Sequence, residues 1–231
     1  MHHRPAESPP RAPAHRTAAV VAAVLAVCSA LLLTLVATRW RPLLVVDGDI
    51  SRRTHRSAVR EQALTHAVRI LTDWVWGPLT MRLVCAAATV WLMWRRADRW
   101  TAVWVAVTIA LATIVQQSLK AAVARPRPIW PDPVDSARYA AFPSGHAMTA
   151  TVVCGLLLWL LHRYGAGRAL WGPAVAVAAV SVVGVGLTRV WLGVHWPSDV
   201  VGGWLFGALV VAVAVVVHEC RRGRRPHPEP G

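Results

Sequence analysis

Residues 143–161 read PSGHAMTATVVCGLLLWLL: a polar cluster, Pro143-Ser144-Gly145-His146, leads straight into an apolar run that reaches Leu161. Apolar segments whose charges gather only at their ends mark helices that cross a bilayer, because a charge is costly at the bilayer centre and tolerable at the head-group level. The same punctuation recurs on both sides. Upstream, Trp100 to Leu119 is apolar and is followed by Lys120 and then Arg127-Pro128. Downstream, Leu170 to Leu187 ends in Thr188-Arg189, and His195, Pro197 and Asp199 precede the run from Val200 to Val217.

The rest of the chain fits the same class. It has 231 residues, 55% of them hydrophobic and 16% charged, with a mean hydropathy of +0.44. That is too apolar for a water-soluble domain. Ala18 to Thr38 supplies the roughly 20 apolar residues that a span needs. A signal peptide is the competing reading, since Arg4, Arg11 and Arg16 precede the run, but Thr38-Arg39-Trp40-Arg41 follows it in place of a small-residue cleavage site, so an uncleaved first span is expected. Another span enters at Trp74, Trp76, Gly77 and Pro78 and ends at Trp94; it is short and contains Arg82.

The expectation is an all-α integral membrane bundle of six transmembrane helices. Its parts are a disordered cytoplasmic head (1–16), a six-span domain (17–218) and a basic cytoplasmic tail (219–231). Between the first two spans, Val59, Ala63, Leu64, Ala67, Val68 and Leu71 recur at helical spacing among arginines. This predicts an amphipathic helix over 50–71, either lying in the membrane interface or packed over the bundle.

A formal net charge of +14 raises nucleic acid as a partner, but the arginines are divided among head, tail and connections rather than painted on one face. Anionic lipid head groups and phosphate-bearing substrates suit that distribution better. Cys28, Cys85, Cys154 and Cys220 have no metal or redox spacing, so neither a disulfide nor a zinc site is expected.

Six spans put both termini on one side. Counting Lys and Arg leaves orientation undecided, with 12 on the side of the head and 13 on the other out of 25. The head is assigned to the cytoplasm because the opposing arginines lie in the long 39–78 segment or in the clusters, where charge carries less topological weight. The third span then ends, the fourth begins, the fifth ends and the sixth begins on the extracytoplasmic face, so all three clusters converge there.

Their chemistry is that of phosphate. Lys120 offers a compact cation and Arg127 a planar fork for two oxygens of a tetrahedral dianion; the alternative is that both snorkel to lipid phosphates, and Arg125 is read in that way. Ser144 can cap a helix, Gly145 leaves room for a ligand, and the free N–H groups of the first turn favour an anion. His146 in that turn can give a proton to a leaving oxygen. Pro197 suits a first helical position and places Asp199 in the first turn, where the dipole favours a carboxylate. Asp199 follows His195 by four residues, close enough to hold one ring nitrogen and free the other as a nucleophile.

Lys-x6-Arg-Pro, Pro-Ser-Gly-His and Arg-x5-His-x3-Asp, in this order over residues 120–199, resemble the three-part signature of the type 2 phosphatidic acid phosphatase superfamily, which includes bacterial acid phosphatases and vanadium haloperoxidases. Thr188 stands where that family usually has Ser. The resemblance implies a metal-free, cofactor-free lipid phosphatase with a phosphohistidine intermediate. His195 would be the nucleophile, Asp199 its orienting base and His146 the acid. Lys120, Arg127 and Arg189, with Ser144 and the Gly145 amide, would hold the phosphate. The expected partners are the bilayer and a lipid phosphate or diphosphate, such as phosphatidic acid or a polyprenyl diphosphate. Two other readings are a vanadium-dependent haloperoxidase and a lipid-phosphate binding or transport protein. The known haloperoxidases of this superfamily are soluble, and a transporter is expected to lack the nucleophile or its partner, whereas His195, Asp199 and His146 are all present. Trp130, Arg138 and Tyr139 are expected to edge the entrance, and Trp191 and Trp196 either to anchor at the interface or to line a groove for the lipid tail.

Overall fold

The computed structural model describes residues 14–223; most of the expected head and tail therefore lies outside the described residues. Helix α1 (Ala14–Ala37) is followed by α2 (Arg41–Arg60) and α3 (Gln62–Ile70), and α3 runs through a π-helical turn, Leu71–Val75, toward α4 (Pro78–Arg95). Then come α5 (Arg99–Val123), α6 (Gly145–Arg163), α7 (Arg168–Trp191) and α8 (Pro197–Gly223). Among the described residues there are six helical segments long and apolar enough to cross a membrane, the second joining α3 to α4. No β-strand occurs among them. The helices outrun the apolar runs because Lys120 and Arg189 occupy last turns of α5 and α7, and Asp199 the first turn of α8.

Helix α6 is the axis of the bundle. Of its most apolar window 44% is buried, against 28% or less for the other spans, and it packs against α4, α5, α7 and α8. Met148, Val152, Val153 and Leu156 meet Leu92, Cys85, Val105 and Phe142 in one core. Val24, Leu31, Leu111, Val177 and Val180 face outward, as side chains in contact with lipid do.

Close approach of α8 to α6 depends on small residues. A Cβ at Gly203 would stand 2.7 Å from the Ser144 carbonyl oxygen, and one at Gly207 would stand 3.0 Å from that of Met148. Glycines four apart let two backbones touch, the usual device where water provides no drive for helix association. The N-termini of both helices are thereby drawn together, and the Ser144 N–H donates to the Asp199 carbonyl at 2.9 Å. At the opposite end Asp98 caps α5, accepting from the Thr101 amide at 3.0 Å and from the Tyr164 hydroxyl at 2.9 Å.

The segment predicted as one amphipathic helix over 50–71 is packed over the bundle, with two differences. Glu61 (φ −97°, ψ 62°) breaks it into α2 and α3, and its buried face is the polar one. Asp47, Ser51, His55, Thr65 and Thr72 point inward, while Val45, Val46, Ile50, Leu64 and Ile70 are exposed. Polar side chains turn inward because the bundle end beneath α2 offers polar groups that need partners, while the outer face mixes these apolar residues with Arg52, Arg53, Arg56 and Arg60.

Candidate active site

The three clusters meet at one end of the bundle, as span counting predicts. Helix α5 stops where Ala124 adopts a left-handed conformation (φ 45°), and Pro126 and Pro128 forbid its continuation. The chain then crosses the bundle end and returns through Ala140 and Ala141 to Ser144. Lys120 Nζ donates to the Ala140 carbonyl, and the Ala141 amide donates to the Arg125 carbonyl at 2.8 Å.

Arg127 is the most connected cation. Its Nε donates to the Tyr139 carbonyl at 2.9 Å and its Nη2 to that of Arg138 at 3.2 Å, while Nη1 reaches the Val194 carbonyl and, at 3.1 Å, the Nε2 of His195. Burial, and then repulsion from Arg189, pulls Arg127 down to about 10, so it remains charged at neutral pH.

His195 lies in the turn between α7 and α8 and is 2% exposed. Because guanidinium only donates, Nε2 must accept from Arg127, and the ring proton is left on Nδ1. Nδ1 faces Asp199 Oδ2 at 3.4 Å. Burial first, and then the charges of Arg127, Arg189 and Lys120, holds this imidazole well below its ordinary range. A neutral ring with a lone pair on Nε2 results. The turn itself depends on Gly193 (φ 67°), where a Cβ would come within 2.6 Å of Trp130 Nε1. Trp130 donates to the Gly193 carbonyl at 2.9 Å and stacks on His55 at 4.1 Å.

Ser144 ends the loop as the N-cap of α6 but makes no side-chain cap hydrogen bond. Its hydroxyl is fully buried without a partner, as is Nε of Arg189. Buried polar atoms are nearly always paired, so two orphans at one site mark a place for an acceptor-rich ligand. A Cβ on Gly145 would meet the end of the Gln116 side chain at 2.8 Å. His146 follows, with the cations Arg189, Arg127 and Lys120 and the ring of His195 as its neighbours. Arg189 also has Asp73 and Asp135 at 3.9 and 3.8 Å.

All eight predicted residues, Lys120, Arg127, Ser144, Gly145, His146, Arg189, His195 and Asp199, thus lie at one end of the bundle. Arg125 requires correction. Instead of snorkelling to lipid it is 7% exposed and spans two carboxylates, with Nη1 2.6 Å from Asp199 Oδ1 and Nη2 2.7 Å from Asp47 Oδ2. Sequence reading missed Asp47, Asp73 and Asp135, since a single acid whose partners lie far away in the chain has no spacing signal. The tryptophans are also bound within the protein: Trp191 donates to Thr65 and Trp196 to the Pro126 carbonyl, both at 2.9 Å. Among the described residues there is no cluster of His, Cys, Asp or Glu suited to a metal ion.

Comparison with known proteins covers the same region. The pattern of the PAP2 superfamily matches residues 101–222, a stretch that holds all eight site residues. An undecaprenyl-diphosphatase of Sulfolobus acidocaldarius is 26% identical over 154 residues, 63% of this chain and 64% of that one. Phosphatidylglycerophosphatase B of Bacillus subtilis is 34% identical over 98 residues, 42% of this chain and 48% of that one. A decaprenylphosphoryl-5-phosphoribose phosphatase of Mycobacterium tuberculosis is 36% identical over 122 residues, 52% of this chain and 61% of that one. The chain therefore matches about half to two-thirds of the length of these curated relatives. The crystal structure of a transmembrane PAP2-type phosphatidylglycerolphosphate phosphatase from Bacillus subtilis shares the fold, with a TM-score of 0.72 and 23% identity over 86% of this chain and 98% of that one. By its motifs, its multi-pass helical fold and this match, the chain belongs to the PAP2 superfamily.

Proposed function

We propose that the protein is a membrane lipid phosphatase that hydrolyses a lipid phosphomonoester or diphosphate through a phosphohistidine, without metal. The observation that carries this reading is the placement of His195, buried with Nε2 3.1 Å from Arg127 and Nδ1 3.4 Å from Asp199. The Nε2 lone pair forms the N–P bond as the P–O bond to the leaving oxygen breaks, and His146 gives that oxygen its proton. The cationic phosphohistidine keeps its proton on Nδ1 against Asp199. Water then attacks phosphorus, His146 takes its proton, and the N–P electrons return to Nε2. Lys120, Arg127 and Arg189 stabilise the equatorial oxygens, and the Ser144 hydroxyl and Gly145 amide complete the cradle.

Purified protein in detergent with EDTA is expected to release phosphate from at least one of phosphatidic acid, phosphatidylglycerol phosphate and undecaprenyl diphosphate. No release from lipid phosphates of either kind overturns the assignment, and an absolute need for added magnesium overturns the metal-free route. Head-group acceptance within this panel names the substrate.

The cradle is assigned to the extracytoplasmic face, with both termini inside. A cysteine introduced at Asp135 is then expected to react with a membrane-impermeant maleimide in intact cells, while one introduced at Arg96 reacts only after lysis. The reverse pattern inverts the orientation.

A further inference from the structure

Asp47 lies in α2, outside the stretch that matches the superfamily and outside its three motifs, yet it is 1% exposed and bonded to Arg125 and Ser198 behind Asp199. Its Oδ1 accepts from the Ser198 amide at 2.9 Å, and its Oδ2 from the Ser198 hydroxyl at 2.5 Å and from Arg125 Nη2 at 2.7 Å. Arg125 in turn donates through Nη1 to Ser198 Oγ at 2.7 Å and to Asp199 Oδ1 at 2.6 Å. The two oxygens of Asp199 are thus divided. Oδ1 belongs to Arg125, while Oδ2 takes the Trp196 amide at 2.9 Å and faces His195 Nδ1.

We infer that Asp47 and Arg125 are positioning residues for the nucleophile: Arg125 holds Asp199 by one oxygen so that the other faces His195, and Asp47 holds Arg125. Geometry and charge both argue for it. One guanidinium between two carboxylates leaves the buried trio one negative charge in excess, adjoining the ring that becomes cationic in the phosphoenzyme. Without Asp47 the trio is neutral, Arg125 draws on Asp199 alone, and the carboxylate is a weaker acceptor for the Nδ1 proton. Neither residue reaches the phosphate cradle directly, so substrate binding is left intact.

The inference rests on the phosphatase reading above, and its test separates the two. Asp47→Asn keeps the shape and the acceptor for the Ser198 amide while removing the charge; Arg125→Lys keeps a charge but lacks the two-ended fork. Phosphate release by the full chain in detergent is expected to fall about 10- to 100-fold in kcat in each variant, a size typical of outer partners that orient a reacting group. KM, and the inhibition constant of inorganic phosphate, are expected to stay within about threefold. A fall in kcat matched by an equal loss of phosphate binding means general disruption of the site and overturns the inference. So does unchanged kcat in Asp47→Asn alongside an active parent protein. An inactive parent instead overturns the phosphatase reading. Should Asp47→Asn fail to fold, Arg125→Lys carries the same comparison.

Discussion

Replacing His195 with alanine is expected to lower phosphate release by on the order of 10⁴-fold or more, because it removes the atom that forms the covalent bond rather than one that assists it. The phosphate cradle should survive the change. Lys120, Arg127 and Arg189 are anchored by backbone carbonyls and carboxylates rather than by the imidazole alone. Inorganic phosphate should therefore still bind to His195→Ala. Chemical quench of the parent enzyme with radiolabelled substrate should trap an acid-labile, base-stable phosphoenzyme that His195→Ala lacks. Full activity in the alanine variant would show that another group attacks phosphorus.

The second large effect falls on stability. Arg125→Leu is expected to destabilise the fold by about 3–5 kcal/mol, the range for removing one partner of a buried ion pair. Asp47 and Asp199, 1% and 0% exposed, would be left facing each other without a cation, and burial of uncompensated carboxylates is what costs most. Arg53→Leu on the exposed side of α2 is the control and should change stability by less than about 0.5 kcal/mol. Thermal unfolding in one detergent compares the two. Equal behaviour of both variants would mean that Arg125 reaches lipid head groups, as its place in the sequence first suggests.

Those two residues divide what could be read in advance from what could not. The pairing of His195 with Asp199 was legible because it is local: an acid four residues on, a proline that starts a helix, and an apolar run that fixes which end of the span it occupies. The resemblance alone set His195 apart from His146 as the expected nucleophile. Arg125 was misread because its partners are 74 and 78 residues away, and nothing in the spacing of Arg-Pro-Arg-Pro tells which arginine turns to substrate and which turns inward. The same holds for α2 and α3. Periodicity found a helix there, but the assumption that apolar side chains face the core fails over the end of this bundle, where the core offers hydrogen-bonding groups and the outer face carries arginines and apolar side chains together.

By itself the sequence determined the number of spans, their alternation across the membrane and hence the convergence of three clusters on one face, since a bilayer forces each apolar run to cross and each charged end to stop. It also supplied the residue types of the site, imidazole, carboxylate and guanidinium at helix ends, whose order and spacing resemble the superfamily signature. Only the tertiary structure decided how charge is balanced behind His195. Burial makes every lone ion costly, so Arg125 must find Asp47 and Asp199 wherever the chain has placed them, and that pairing is a property of the packed bundle.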